Sequence, residues 1–84
     1  MKEYYKSAGK FIGQNKDSLY QIQTSDDVVG LPDFLYFFWK EFVNRVEVHS
    51  ARSDIVISYG IDDEIFDDMV SVLAMDDLLL IETD

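Results

Sequence analysis

The residues best placed to do chemistry are carboxylates. Seventeen Asp and Glu face seven Lys and Arg, for a formal charge of −10 over 84 residues. The acids cluster as doublets: Asp26-Asp27, Asp62-Asp63, Asp67-Asp68 and Asp76-Asp77. Residues 53–84 hold Asp54, Asp62, Asp63, Glu64, Asp67, Asp68, Asp76, Asp77, Glu82 and Asp84, with no Lys or Arg among them. Such a segment repels itself, which weakens the compact state. It also presents the charge pattern that a Lys/Arg-lined groove is built to bind. The plainer reading is a solvated face that keeps a small protein dissolved. Clustering, and the preference for Asp over the better helix former Glu, are not needed for solubility.

Other chemistries fit less well. A calcium loop of the EF-hand kind needs oxygen ligands at positions 1, 3 and 5 and Gly at 6. Counted from Asp62, position 5 is Phe66 and position 6 is Asp67, so the pattern fails. No metal or cofactor is expected. His49 is the only histidine and there is no cysteine, which removes thiolate zinc sites, thiol nucleophiles and disulfides. Ser7-Ala8-Gly9-Lys10 matches a Ser-x-x-Lys string without its companion motifs. The four glycines are scattered and make no phosphate-cradling loop. A carboxylate pair for acid–base work would need a pocket that a chain this short has little room for. A non-enzymatic protein is expected.

The acids must be positioned by a core, and the composition supplies one: 48% of residues are hydrophobic and 14% aromatic. The longest apolar runs, Phe34–Trp39 and Leu78–Ile81, fall far short of the roughly 18–20 residues that span a bilayer. The start of the chain lacks the apolar stretch of a signal peptide. A cytoplasmic location follows as the expectation.

Periodicity places the elements. Tyr4, Tyr5, Ala8, Phe11 and Ile12 share one side at 100° per residue, which predicts a helix over 2–12 closed by Gly13. Ser18–Thr24 alternates and predicts a strand, followed by a connection at Val28-Val29-Gly30. Pro32 opens a second helix running to about Asn44, the central core helix. Arg45–His49 and Asp54–Tyr59 alternate around a four-residue turn and predict an antiparallel hairpin. Asp62 caps a third helix over about 63–75, with Ile65, Phe66, Met69, Val72 and Leu73 on its apolar side and Asp63, Glu64, Asp67 and Asp68 nearly opposite. Leu78–Ile81 is short and continuous, compatible with a strand or one more helical turn, and is taken as a strand. The sum is a single α+β domain over 1–84, in the order α-β-α-β-β-α-β. About three helices would cover one face of a small sheet of three or four mainly antiparallel strands.

The function this pattern predicts is a small acidic inhibitor. It would occupy the basic nucleic-acid-binding groove of a partner, a regulator or a nuclease, by standing in for DNA or RNA. Such an activity would suit a phage anti-defence protein, or an immunity protein or antitoxin that blocks a basic nuclease. The expected contact residues are Asp62, Asp63, Glu64, Asp67 and Asp68, extended by Asp76 and Asp77. Phe37 joins them as an aromatic anchor, because it projects onto the polar stripe of its helix and should be the least buried aromatic there. Direct binding of nucleic acid or of an anionic membrane is not expected. The alternative is a non-enzymatic interaction domain or homodimer that uses exposed aromatics while the acidic face merely stays wet.

Overall fold

The computed structural model describes all 84 residues. The class is α+β, with three helices and two three-stranded antiparallel sheets. Strands β1 (Glu3–Ser7), β5 (Val46–Glu47) and β6 (Leu79–Thr83) form one sheet in the order β5-β1-β6. Strands β2 (Lys10–Gln14), β3 (Tyr20–Gln23) and β4 (Val28–Leu31) form the other in the order β2-β3-β4. Helices α1 (Asp33–Lys40), α2 (Val48–Tyr59) and α3 (Asp63–Met75) complete the chain.

The N-terminal helix of the sequence reading is instead β1 and β2, and glycine is the reason. Gly9 adopts φ +91° and Gly13 φ +117°, neither of them helical. At Gly9 the chain passes from one sheet to the other so closely that an added Cβ would lie 2.6 Å from Ile22 Cγ2. Gly13 accompanies a register shift in the β2–β3 ladder, a bulge that needs this freedom. Tyr5 turns inward and is buried, as strand alternation also allows. The connection expected at Val28–Gly30 is the edge strand β4, paired through Ile22↔Val29 and its neighbours.

Helix α1 lies between the sheets. Its regular part ends at Lys40, short of Asn44. The next turn tightens to i→i−3 bonds from Glu41, Phe42 and Val43 to Phe38, Trp39 and Lys40. Strand β1 supplies donors to the carbonyls of this last turn. Ser7 N–H donates to Phe42 O at 2.7 Å, Ser7 Oγ to Trp39 O, and Lys6 Nζ to Val43 O.

The expected hairpin over 45–59 is overturned. Only Val46–Glu47 is strand, and the rest is α2. Ala51 and Ile55 are buried and Val48, Val56 and Tyr59 pack beside them, a spacing of three to four residues. Ile57, which strand alternation would have paired with Ile55, is 79% exposed. Both ends are capped. Glu47 accepts from the backbone N–H groups of His49 and Ser50. Gly60, at φ 64°, closes the helix with bonds from its own N–H to Ile57 O and from Ile61 N–H to Val56 O.

The fifteen buried side chains are all apolar and form one cluster. Its centre is Phe38 of α1, edge-on to Phe42 at 5.2 Å and to Phe66 of α3 at 5.4 Å. Tyr5 of β1 closes the group against Phe42 at 5.3 Å. On the other side of α1, Tyr36 stacks on Tyr20 of β3 at 4.1 Å, and Trp39 Nε1 donates to Ala8 O. Phe38 and Trp39 are therefore core, as expected. Phe38→Ala should cost ~3–5 kcal/mol in denaturant unfolding. Phe37→Ala, at a half-exposed rim, should cost under about 1.5 kcal/mol.

Candidate partner-binding surface

Helix α3 carries the acids, and its boundaries match the sequence reading. Asp62 Oδ1 accepts from Ile65 N–H at 2.8 Å, and Phe66, Met69 and Leu73 anchor the helix in the core. Asp63, Glu64, Asp67 and Asp68 are exposed. Ile65 and Val72, expected on the buried side, stand half-exposed at its margin. The buried arc is narrow because α3 sits on one sheet face and meets helices only along part of its circumference.

The acids are not uniformly uncompensated. Arg52, on the α2 face toward α3, places Nη2 2.5 Å from Asp67 Oδ1 and Nη1 3.5 Å from Asp63 Oδ1. Its guanidinium lies 4.9 Å over the Phe66 ring. The Asp67 hydrogen bond, partly opposed by desolvation, raises the Arg52 pKa. Arg45 likewise reaches Glu82 and Asp84 while covering the Tyr4 ring at 4.1 Å. The expectation of an acidic segment free of bases fails here. Arg52 stands outside the segment in sequence, and only the helical form of α2 brings it across. Nothing in local spacing signals a pair eleven and fifteen residues apart.

Glu64, Asp68, Asp76 and Asp77 remain exposed and form no ion pair. Glu64 and Asp68 lie one turn apart on the outward side, about 6 Å along the helix. Asp76 and Asp77 follow at its C-terminal end. Asp77 adopts φ 59°, and its N–H donates to Ala74 O while Leu78 N–H donates to Leu73 O at 2.9 Å. A left-handed residue at a helix end is usually Gly or Asn. A carboxylate there also faces the negative end of the helix dipole. Both features make Asp77 a poor choice for stability alone.

Phe37 does not join this surface. Its aromatic neighbours are Tyr20 and Tyr36, on the flank of α1 toward the β2-β3-β4 sheet, whereas α3 meets Phe38. Nor is it the least buried aromatic of α1: Phe34 is 56% exposed and Phe37 48%. Phe34 points away at the first turn, where no element covers it. His49 is exposed with Nδ1 2.9 Å from Glu47 Oε2. The Glu47 carboxyl is pulled down to about 2, first by the His49 backbone N–H, with the His49 ring and Ser50 N–H adding to it against some desolvation.

No three acidic or histidine side chains converge on a point that would hold a metal ion. The larger of two surface concavities, about 200 Å³, is lined by Met1, Lys2, Glu3, Glu47, Val48 and His49, away from the acidic row. No helix is long and apolar enough to cross a membrane. No family model, curated protein or solved structure matches the chain.

Two outcomes follow from these caps. Asp77→Gly should stabilise the fold by about 1 kcal/mol in urea denaturation, by relieving the left-handed strain. For Glu47, a lowered folded-state pKa means its contribution is fully present above about 4.5 and fades as the pH falls toward about 2. Glu47→Ala should therefore lower the melting temperature at pH 6. The gap to the parent should narrow as acid melts are carried from pH 4.5 to pH 2.

Proposed function

We propose that this protein is an acidic inhibitor that occupies the basic nucleic-acid-binding groove of a partner protein, of the anti-defence, immunity or antitoxin kind. The observation that carries the reading is the outward row Glu64, Asp68, Asp76 and Asp77. These four carboxylates have no cationic partner in the fold, and two of them stand at a helix end where negative charge costs stability. The helix beneath them is held by Phe66, Met69 and Leu73, so the row is presented with little motion left to lose on binding. Glu64 and Asp68 are spaced by about one helical turn, comparable with the step between successive phosphates along a strand. Long-range attraction to a Lys/Arg-lined groove would also speed encounter. Asp62 belongs to the row as a helix cap. Asp63 and Asp67 belong to it with their charge shared with Arg52.

The exposed aromatics Phe34 and Phe37 favour a second reading, an apolar interaction surface on the other side of α1. Salt separates the two, because screening weakens a charged interface and leaves an apolar one largely unchanged. The test uses nucleic-acid-binding proteins retained on heparin from a lysate and a fluorescent DNA or RNA oligonucleotide bound to the captured partner. Adding this protein should displace the oligonucleotide. A Glu64→Gln, Asp68→Asn, Asp76→Asn variant should fold at least as well, displace the oligonucleotide at least tenfold less effectively, and show a shallower dependence on salt. A ternary complex of partner, protein and oligonucleotide formed without loss of affinity would replace groove mimicry with the Phe34–Phe37 surface.

A further inference from the structure

Strand β6 is an edge, and its free side can be read from the register. Ala8 N–H donates to Leu78 O and Asp84 N–H to Lys2 O. Between these points Lys6 faces Leu80 and Tyr4 faces Glu82. Hydrogen-bonded pairs alternate along an antiparallel ladder, so Leu78 turns its carbonyl, and residues 80, 82 and 84 turn their amides, toward β1. Ile81 and Thr83 turn theirs to the side that no strand occupies, and no side chain bonds to them. Edge strands usually carry a lysine, a proline or a bulge that blocks further pairing. Leu79-Leu80-Ile81-Glu82-Thr83 has none of these three, its one charged residue is Glu82 near the end, and its ladder with β1 runs without a shift. Leu80 is 48% and Ile81 57% exposed.

The charges around this edge say what fits it. Asp76 and Asp77, both unpaired, precede the apolar stretch, and Glu82 and Asp84, which share Arg45, follow it. A second copy would bring the same −10 charge against them. We propose that β6 receives an extended segment of the partner as an added strand, apolar at its centre and Lys/Arg-bearing at its ends. Backbone bonds to Ile81 and Thr83 supply registration, and apolar side chains beside Leu80 and Ile81 supply contact. The basic ends meet the acidic flanks. The inference rests on the preceding reading only in taking the partner to be basic.

The probe is the peptide acetyl-Lys-Arg-Val-Thr-Val-Arg-Lys-amide, compared with the same peptide N-methylated at its three central amides. The methylated peptide keeps its charge and loses its hydrogen-bonding edges. The unmodified peptide should bind, slow amide exchange at Ile81 and Thr83, and bind at least tenfold more tightly than the methylated one. A counterpart with Glu in place of Lys and Arg should not bind. Equal affinity of the two basic peptides would overturn strand addition and leave charge attraction alone. Absence of binding by the unmodified peptide would overturn it as well. A dimeric mass of the free protein with Ile81 and Thr83 already protected would overturn it in favour of a second copy. Oligonucleotide displacement by the parent protein, together with insensitivity to N-methylation, leaves groove mimicry standing while strand addition falls, so the two failures are distinct.

Discussion

The fold depends on Phe38. This one side chain is fully buried and meets Phe42 on its own segment, Phe66 on α3 and Tyr59 on α2. Tyr5 joins the same group from β1. Three helices and a central strand thus share one aromatic contact, and each edge-on pair adds about 0.5–1.5 kcal/mol beyond the area it buries. Because α1 also holds Tyr36 against the second sheet and Trp39 against the connection between the sheets at Ala8, a single eight-residue helix couples both sheets. A chain this small buries a limited share of its surface, and concentrating aromatics on one helix makes that share cohesive.

The second constraint is charge. A chain at −10 has few cations to distribute, and it places both arginines where acids would otherwise crowd structural joints. Arg52 stitches α2 to the first turns of α3, and Arg45 ties the C-terminal strand to the ring of Tyr4. Each is a surface pair, worth at most about 1 kcal/mol. Their value lies as much in what they leave behind. Asp63, Asp67, Glu82 and Asp84 are paired and Asp62 acts as a cap, whereas Glu64, Asp68, Asp76 and Asp77 are bare. The acids on and just beyond α3 are therefore divided into a paired set and a bare set.

Much of this was legible in the residues, and the failures have a common cause. Helix α3 carries a strong 3.6-residue pattern, an Asp62 cap and a polar opposite side, so its bounds and its acids could be read directly. The start of α1 at Pro32-Asp33 and the last strand were also readable. The N-terminal segment was not, because Tyr4, Tyr5, Phe11 and Ile12 satisfy a helical and a strand pattern equally. Only the backbone angles of Gly9 and Gly13 decide between them. Over 45–59, alternation of Ile55, Ile57 and Tyr59 concealed the Val48, Ala51, Ile55, Tyr59 spacing that the core selects. The signal available was Gly60, a helix stop one residue past Tyr59 with no function in a strand. That single misreading also hid Arg52, since a residue in a hairpin turn has no reason to face α3.

The choice of Asp over Glu on α3 now has a physical interpretation. Asp is the weaker helix former by several tenths of a kcal/mol, and at Asp77 it occupies a left-handed position that favours glycine. A solvated face gains nothing from these costs, because Glu would hydrate as well and stabilise the helix. A surface that must meet cations at fixed points does gain, since a carboxylate one methylene from the backbone wanders less and loses less rotamer freedom when it is held. The same reasoning accounts for where the cost is tolerated. Asp63 and Asp67 offset it with Arg52, Asp62 offsets it as a cap, and only Asp68, Asp76 and Asp77 bear it unaided. On the proposed reading, a contact outside the chain is what would offset the cost at those three positions.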